Sequence, residues 1–255
     1  MGLLDTIQTG RQNRPPRLLL HGGEGVGKST FASKAPDPIF IQTEDGLDAL
    51  DVARFPLSES FGAVMENLAE LSRADHDYKT VVIDSIDWLQ TLIFEDLCNQ
   101  YGVTGIEKVD GGYGRGYTHA LNQWQQVTQH LDGLRNSKGM VVILIAHSKV
   151  ERFEDPESDS YDRFVPRLNK HAGGMLTEWA DAVLFATQRI RLRAEDSGFN
   201  KTRNIAKPIG AGGGERILKC VGAPSHVAKN RYGIVDELPL EWDSFVNAVK
   251  EKQGT

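Results

Sequence analysis

Apolar residues in this chain gather in short continuous runs rather than in strict alternation. Runs of strand length occur at 17–21 (RLLLH), 38–42 (PIFIQ), 80–84 (TVVID), 140–147 (MVVILIAH) and 182–187 (AVLFAT). A strand that is apolar at successive positions is covered on both faces, the pattern of a parallel sheet between helix layers. Stretches at about 60–73, 86–100, 117–136 and 168–180 have helical spacing, and another helix opens near Gly27 and stops before Pro36. Strand–helix alternation with right-handed crossovers predicts a doubly wound α/β core with a mostly parallel sheet.

Two segments break this rhythm. Residues 102–117 (GVTGIEKVDGGYGRGY) are glycine-rich, and 149–166 (KVERFEDPESDSYDRFVP) are highly charged without an evident period. Both are read as long functional loops. After residue 188 short β-like runs (189–193, 203–206, 216–221) surround Gly212-Gly213-Gly214, which predicts a small antiparallel extension closed by a helix near 241–251. Residues 1–16 are polar and end in Pro15-Pro16, a lead-in to one domain spanning 17–255. No internal repeat is present.

Composition narrows the class. The chain has 255 residues, 40% hydrophobic and 25% charged, which is globular and excludes extensive disorder. The net charge of −6 excludes a uniformly basic nucleic-acid binder. Charge is nevertheless uneven, +7 over 189–231 and −13 elsewhere, so a local basic surface is compatible with an acidic protein. No apolar run approaches the roughly 18–20 residues of a membrane span. The start lacks a secretory pattern, and Cys98 and Cys220 have neither disulfide nor zinc spacing, so a cytoplasmic protein without membrane contact is expected. Gly2 and Thr6 fit an acylation pattern too short to carry weight.

The chemistry begins at 22–29. Gly22, Gly23, Glu24, Gly25, Val26, Gly27, Lys28 and Ser29 match G-x-x-x-x-G-K-[ST], followed by Thr30, with a strand before and a helix after. Backbone N–H groups of such a loop wrap phosphates, the lysine reaches the β- and γ-phosphates, and the serine ligates Mg²⁺. Asp84, ending an apolar strand, is the second metal-holding residue. The next residue is Ser85, where many AAA+ ATPases carry a catalytic glutamate. A water-activating carboxylate is therefore sought at Glu44, on the tip of the second strand, expected beside the P-loop strand; Asp45 is the rival base. His147, ending the fourth strand, is read as a γ-phosphate sensor that moves the following loop. A guanine-reading N-K-x-D is absent, since Asn169-Lys170-His171-Ala172 breaks it.

Together these residues resemble the RecA-like ATPases. Glu44 with Gly46-Leu47-Asp48 looks like the catalytic-glutamate segment of that family, which implies that Asp48 lies near the adenine. Ala228-Lys229-Asn230-Arg231-Tyr232-Gly233 is similar to the K-N-R element of DnaB-type helicases and their relatives, which implies that Lys229 and Arg231 reach a neighbouring subunit's ATP site. Gly112-Tyr113-Gly114-Arg115-Gly116-Tyr117, Ala146-His147-Ser148-Lys149, Tyr161-Asp162-Arg163-Phe164 and Trp179-Ala180-Asp181-Ala182-Val183 add a resemblance to phage- and prophage-encoded RecA-like ATPases of the single-strand annealing and recombination type. The resemblance spans about 17–245. It implies ATP and Mg²⁺ as cofactors, DNA-stimulated ATP hydrolysis, and single-stranded DNA, further copies of the chain in a ring or filament, and a single-strand-binding protein as partners. It also implies DNA contacts from the later loops. Candidates are Tyr113, Arg115 and Tyr117 in the first irregular segment. Lys149 and Arg163, with Arg152 and Arg167, are the candidates in the second. Competing readings are a hexameric helicase or helicase loader, a small-molecule P-loop kinase with Arg189, Arg191 and Arg193 as lid cations, and a non-hydrolysing adaptor. Phe245-Val246-Asn247-Ala248 matches an F-x-x-A polymerisation tetrapeptide, but on an amphipathic helix it reads better as core.

Overall fold

The computed structural model describes residues 2–7, 9–10, 12, 14–157, 159–196, 202–208, 214–235 and 237–254; Gly212 and Gly213 of the expected glycine turn lie outside them. β1 (Arg17–Gly22) leads through the glycine loop into α1 (Lys28–Ser33). There follow β2 (Pro38–Gln42), β3 (Ala53–Arg54), α2 (Phe61–Arg73), β4 (Thr80–Asp84) and α3 (Ile86–Tyr101). A 3-10 turn at Ile106–Gly111 precedes α4 (Arg115–Ser137), β5 (Val141–Phe153), β6 (Tyr161–Pro166), α5 (Lys170–Trp179) and β7 (Ala182–Gln188). The C-terminal part adds β8 (Ile190–Asp196), β9 (Thr202–Pro208), β10 (Arg216–Lys219), β11 (Lys229–Asn230), β12 (Leu238–Pro239) and α6 (Trp242–Gln253).

The main sheet runs β12-β10-β7-β1-β5-β4-β2-β3. All pairs from β7 to β3 are parallel, whereas β10 and β11 add to β7 and β12 adds to β10 in antiparallel sense. β8 and β9 form a separate ribbon. This is the expected mostly parallel core with a small antiparallel C-terminal extension. Successive strand residues face opposite layers. Leu19, Ile41, Val81, Ile83, Val142 and Leu144 pack under α2–α5, while Leu18, Leu20, Phe40, Val82, Ile143 and Ile145 pack under α1 and α6. That double burial is why the runs are unbroken. Phe245 of the F-x-x-A tetrapeptide is 1% exposed and packs its ring near Phe31, Tyr232 and Trp242, so it is core.

Two expectations fail. Residues 149–166 are not an irregular loop: β5 continues past His147 and pairs antiparallel with β6, from Ser148 opposite Pro166 to Phe153 opposite Tyr161. The hairpin's cations are engaged at home. Lys149 Nζ donates to the Leu168 carbonyl, Arg152 pairs with Glu154 and Asp162, and the Arg163 guanidinium lies 4.0 Å over the Phe153 ring. Residues 102–117 are also ordered, because the 3-10 turn is followed directly by α4, which contains Arg115 and Tyr117.

His21 holds the hairpin to the sheet. Its Nδ1 is 2.8 Å from Ser148 Oγ and its Nε2 2.7 Å from the Val227 carbonyl. Complete burial, with smaller repulsion from His226 and Lys28, pushes its pKa down from 6.5 to about 4. Between these values the unfolded chain takes up a proton that the folded chain refuses. The His21 contribution is therefore fully present above the unfolded value and declines as pH falls toward 4. Urea titrations should show a loss of about 2 kcal/mol between pH 7 and pH 5 from this residue. His21→Gln, which keeps a donor and an acceptor, should flatten that slope; an unchanged slope would remove His21 as the cause.

Candidate nucleotide site

The site is assembled at the carboxyl ends of the parallel strands, where open α/β sheets bind ligands. β1 delivers the glycine loop. At Gly22 a Cβ would lie 2.3 Å from the Ala186 carbonyl oxygen of β7, so only glycine lets the loop leave the sheet here. Gly27 opens α1 at φ 105°, in the left-handed region, with the Arg216 guanidinium against it. Lys28 Nζ donates to the carbonyls of Gly22 (3.2 Å) and Gly23 (2.9 Å). Burial lowers its pKa, opposed by the negative field of Asp84, Asp87, Glu44 and Glu24. Ser29 Oγ donates to Asp84 Oδ2 at 2.6 Å, bringing both expected metal residues together. These are paired hard-oxygen ligands of the kind Mg²⁺ takes. Burial, reinforced by Glu44 and opposed by the Ser29 hydrogen bond and Lys28, pushes the Asp84 carboxyl up to about 6. A divalent cation there favours the ionised form, so the donor set fits Mg²⁺.

Glu44 reaches the site by a route the strand pattern did not predict. β2 is not beside β1, because β5 and β4 lie between them. The segment is instead pinned to the end of β4: Thr43 N–H donates to the Asp84 carbonyl (2.9 Å) and Thr43 Oγ1 to the Ser85 carbonyl (2.6 Å). Glu44 then lines a cavity of about 460 Å³ with Asp45, Lys28, Ser29, Thr30, Asp84, His147 and Arg216. Its Oε1 is 4.0 Å from His147 Nδ1. Gly25 and Gly27 complete the phosphate wall, and Leu47, Ala49 and Leu50 form the apolar wall opposite. The Asp48 carboxylate is 84% exposed and pairs with Arg54 at 2.8 Å, between Leu47 and Ala49 of the cavity wall. Val26 has its side chain in the core, so within the glycine loop it offers only its backbone.

Three residues at the site escaped the sequence reading. Asp87, in the first turn of α3, is 3% exposed and accepts from His147 N–H, from the His147 ring and from Arg167. Burial alone would raise its pKa, but these donors hold it well below the usual carboxylate range. Arg167, counted above only among the cations of a loop, and Arg216, from the β-extension, are the others. Asp87 stands three residues after Asp84, in the first turn of the helix that follows the strand Asp84 ends. Nothing local in the sequence pointed to the two arginines.

Lys229 and Arg231 are elsewhere. β11 pairs Lys229 with Val183 and Asn230 with Ala182, at the start of β7, whereas Gly22 pairs with Ala186. That is about 13 Å along the strand, at roughly 3.3 Å per residue, toward the opposite end of the sheet. Lys229 Nζ and Arg231 Nη2 donate to the Glu178 carbonyl at the end of α5, and Arg231 Nη1 pairs with Asp181 at 3.2 Å. Asp181 is held below its ordinary pKa by Arg17 and Arg135 in spite of burial. The W-A-D and K-N-R motifs therefore meet at one carboxylate. Of the first DNA candidates, Tyr113 is 99% exposed at a turn and Arg115 caps the Asp110 carbonyl. Tyr117 packs edge-on against Phe94, so its ring is not a free stacking face. The lid cation of the kinase reading, Arg189, is paired with Glu215 and Glu237, while the side chains of Arg191 and Arg193 lie outside those described.

A family model described as an AAA domain, AAA_24, matches residues 14–232. The chain belongs to this family. It is 24% identical over 223 residues to the SPbeta prophage-derived uncharacterized protein YorG of Bacillus subtilis (strain 168), a match covering 86% of this chain. The chain spans 60% of the length of that relative. The crystal structure of the RadB recombinase aligns over 91% of this chain and 90% of that one, with 12% identity and a TM-score of 0.44. The glycine loop, Lys28, Ser29, Glu44 and Asp84 all lie within the matched AAA domain. Among the described residues no helix is long and apolar enough to cross a membrane.

Proposed function

We propose that the chain is a Mg-ATP-dependent recombination ATPase that binds single-stranded DNA and promotes annealing or strand exchange, with ATP sites completed between subunits. The observation that carries the assembled reading is the separation of the Lys229–Arg231 cations from Lys28 at opposite ends of the sheet. A cation that cannot serve its own phosphates is available to a neighbour's.

In this reading the glycine-loop amides and Lys28 cradle the phosphates. The adenine lies toward Leu47 and Leu50. Ser29 and Asp84 would hold Mg²⁺, which would supply positive charge against the phosphates. Glu44 orients the attacking water and accepts its proton, giving ADP and phosphate. DNA runs along the surface carrying Tyr113, Arg115 and the β5–β6 hairpin, which exposes Val150 and Phe164 on one face and carries Lys149 and Arg163 on the other. The hairpin shares a strand with His147, which offers a link from nucleotide to DNA. A host cytoplasm and a single-strand-binding protein are the setting this activity implies.

ATP hydrolysis measured with and without single-stranded DNA, across a protein-concentration series, tests the reading. Stimulation by DNA with rates superlinear in protein is expected. Rates linear in protein and indifferent to DNA would withdraw both the DNA surface and the shared sites. Directional, ATP-driven unwinding without annealing would favour the helicase reading.

A further inference from the structure

Two cations near the nucleotide site, Arg216 and Arg167, belong to none of the motifs, and Arg167 is the one bonded to the strand that carries His147. Arg167 directly follows β6, and its N–H donates to the His147 carbonyl at 2.8 Å, which fixes its backbone to the strand carrying that histidine. Its Nε and Nη2 donate to Asp87 Oδ2 at 3.0 and 2.7 Å, and Nη2 is 3.2 Å from His147 Nδ1. On its other side Nη1 is 3.8 Å from Oε1 of Glu24, inside the glycine loop. The two acids it touches are among those whose charge acts on the Lys28 ammonium. The guanidinium therefore stands beside the place where the terminal phosphates meet Lys28.

The two contacts are unequal. Asp87 is 3% exposed and bonded by two guanidinium nitrogens, so it anchors the side chain. Glu24 is 79% exposed and its contact is long, the kind of surface pair that contributes little. A phosphate oxygen, which binds arginine through short charge-assisted bonds, outcompetes it.

We propose that Arg167 is a γ-phosphate ligand acting within its own subunit. It exchanges the Glu24 contact for a γ-phosphate oxygen while Asp87 retains the other edge. Because the residue ends β6 and is bonded to β5, the exchange transmits the presence of the terminal phosphate to the β5–β6 hairpin. This rests on the ATPase reading above and adds a cation on the near side of the site, distinct from the Lys229–Arg231 pair.

The test is binding of Mg-ADP and of a slowly hydrolysed Mg-ATP analogue to wild type, Arg167→Ala, Arg167→Gln and Arg167→Lys. Loss of one charge-assisted contact should weaken the ATP analogue by roughly 10- to 100-fold in the Ala and Gln variants. ADP affinity should stay within about twofold, since the β-phosphate contacts are untouched. Lysine should restore part of the difference. Hydrogen exchange at amides 149–153 and 161–165 should respond to the analogue in wild type and not in Arg167→Ala. Equal losses for both nucleotides would reduce Arg167 to a structural role, and no loss for either would overturn the proposal. Wild type binding neither nucleotide would sink the ATPase reading itself, and this assignment with it.

Discussion

Glu44→Gln should lower ATP turnover by at least about 100-fold, the range a positioned general base contributes. Nucleotide affinity should hardly change. The substitution is nearly isosteric, and the segment is held by Thr43 bonding to the carbonyls of Asp84 and Ser85, not by the Glu44 carboxylate. Glutamine can still hydrogen-bond a water but cannot take its proton. Asp45 lines the same cavity, so Asp45→Asn is the necessary comparison and should stay within about threefold of wild type. If Asp45→Asn carries the large loss and Glu44→Gln does not, the two roles exchange. If neither does, the water is activated by a group outside this segment. Single-turnover measurements separate a chemical defect from slow product release.

The elements legible in the sequence were those whose signal is local. Five apolar runs became five parallel strands because burial on both faces leaves no room for polar alternation. The helices fell within a few residues of expectation for the same reason. Strand order is not local. Nothing between residues 17 and 147 says that β5 inserts beside β1, so Glu44 was expected next to the P-loop strand and instead stands two strands farther away, brought in by Thr43. The β5–β6 hairpin was obscured by its charge. Burial alternates from Tyr161 to Phe164, but residue type does not, and acids on both sides of Pro156 made the segment resemble solvent-exposed loop. Arg167 shows the same limit at a single residue. Its partner Asp87 is 80 positions earlier, and only the fold brings a cation of an apparent loop to the carboxylate that also holds His147. The W-A-D and K-N-R motifs, read separately, also acquire a common meaning once Asp181 is seen to receive Arg17, Arg135 and Arg231.

Arg231→Ala should cost roughly 100- to 1,000-fold in turnover, the scale of a missing transition-state cation. The fold should survive. Arg231 is 56% exposed, and Asp181 keeps Arg17 and Arg135 when it is removed, so no buried carboxylate is left unpaired. The decisive form of the experiment is a mixture. Arg231→Ala retains an intact glycine loop and lacks the cation; Lys28→Ala retains the cation and cannot hold the phosphates. If Arg231 serves a neighbour, a heterogeneous assembly places the cation of one variant against the loop of the other. The mixed sample should then hydrolyse ATP well above the sum of its parts. A mixture that equals the sum, in assemblies of wild-type size, would mean that Arg231 does not act across subunits. Its bonds to Asp181 and the Glu178 carbonyl would then be its whole role. A positive result would also fix the direction of assembly, since the start of β7 in one subunit must face the carboxyl end of the sheet in the next, a head-to-tail contact that closes into a ring or continues as a filament according to its rotation.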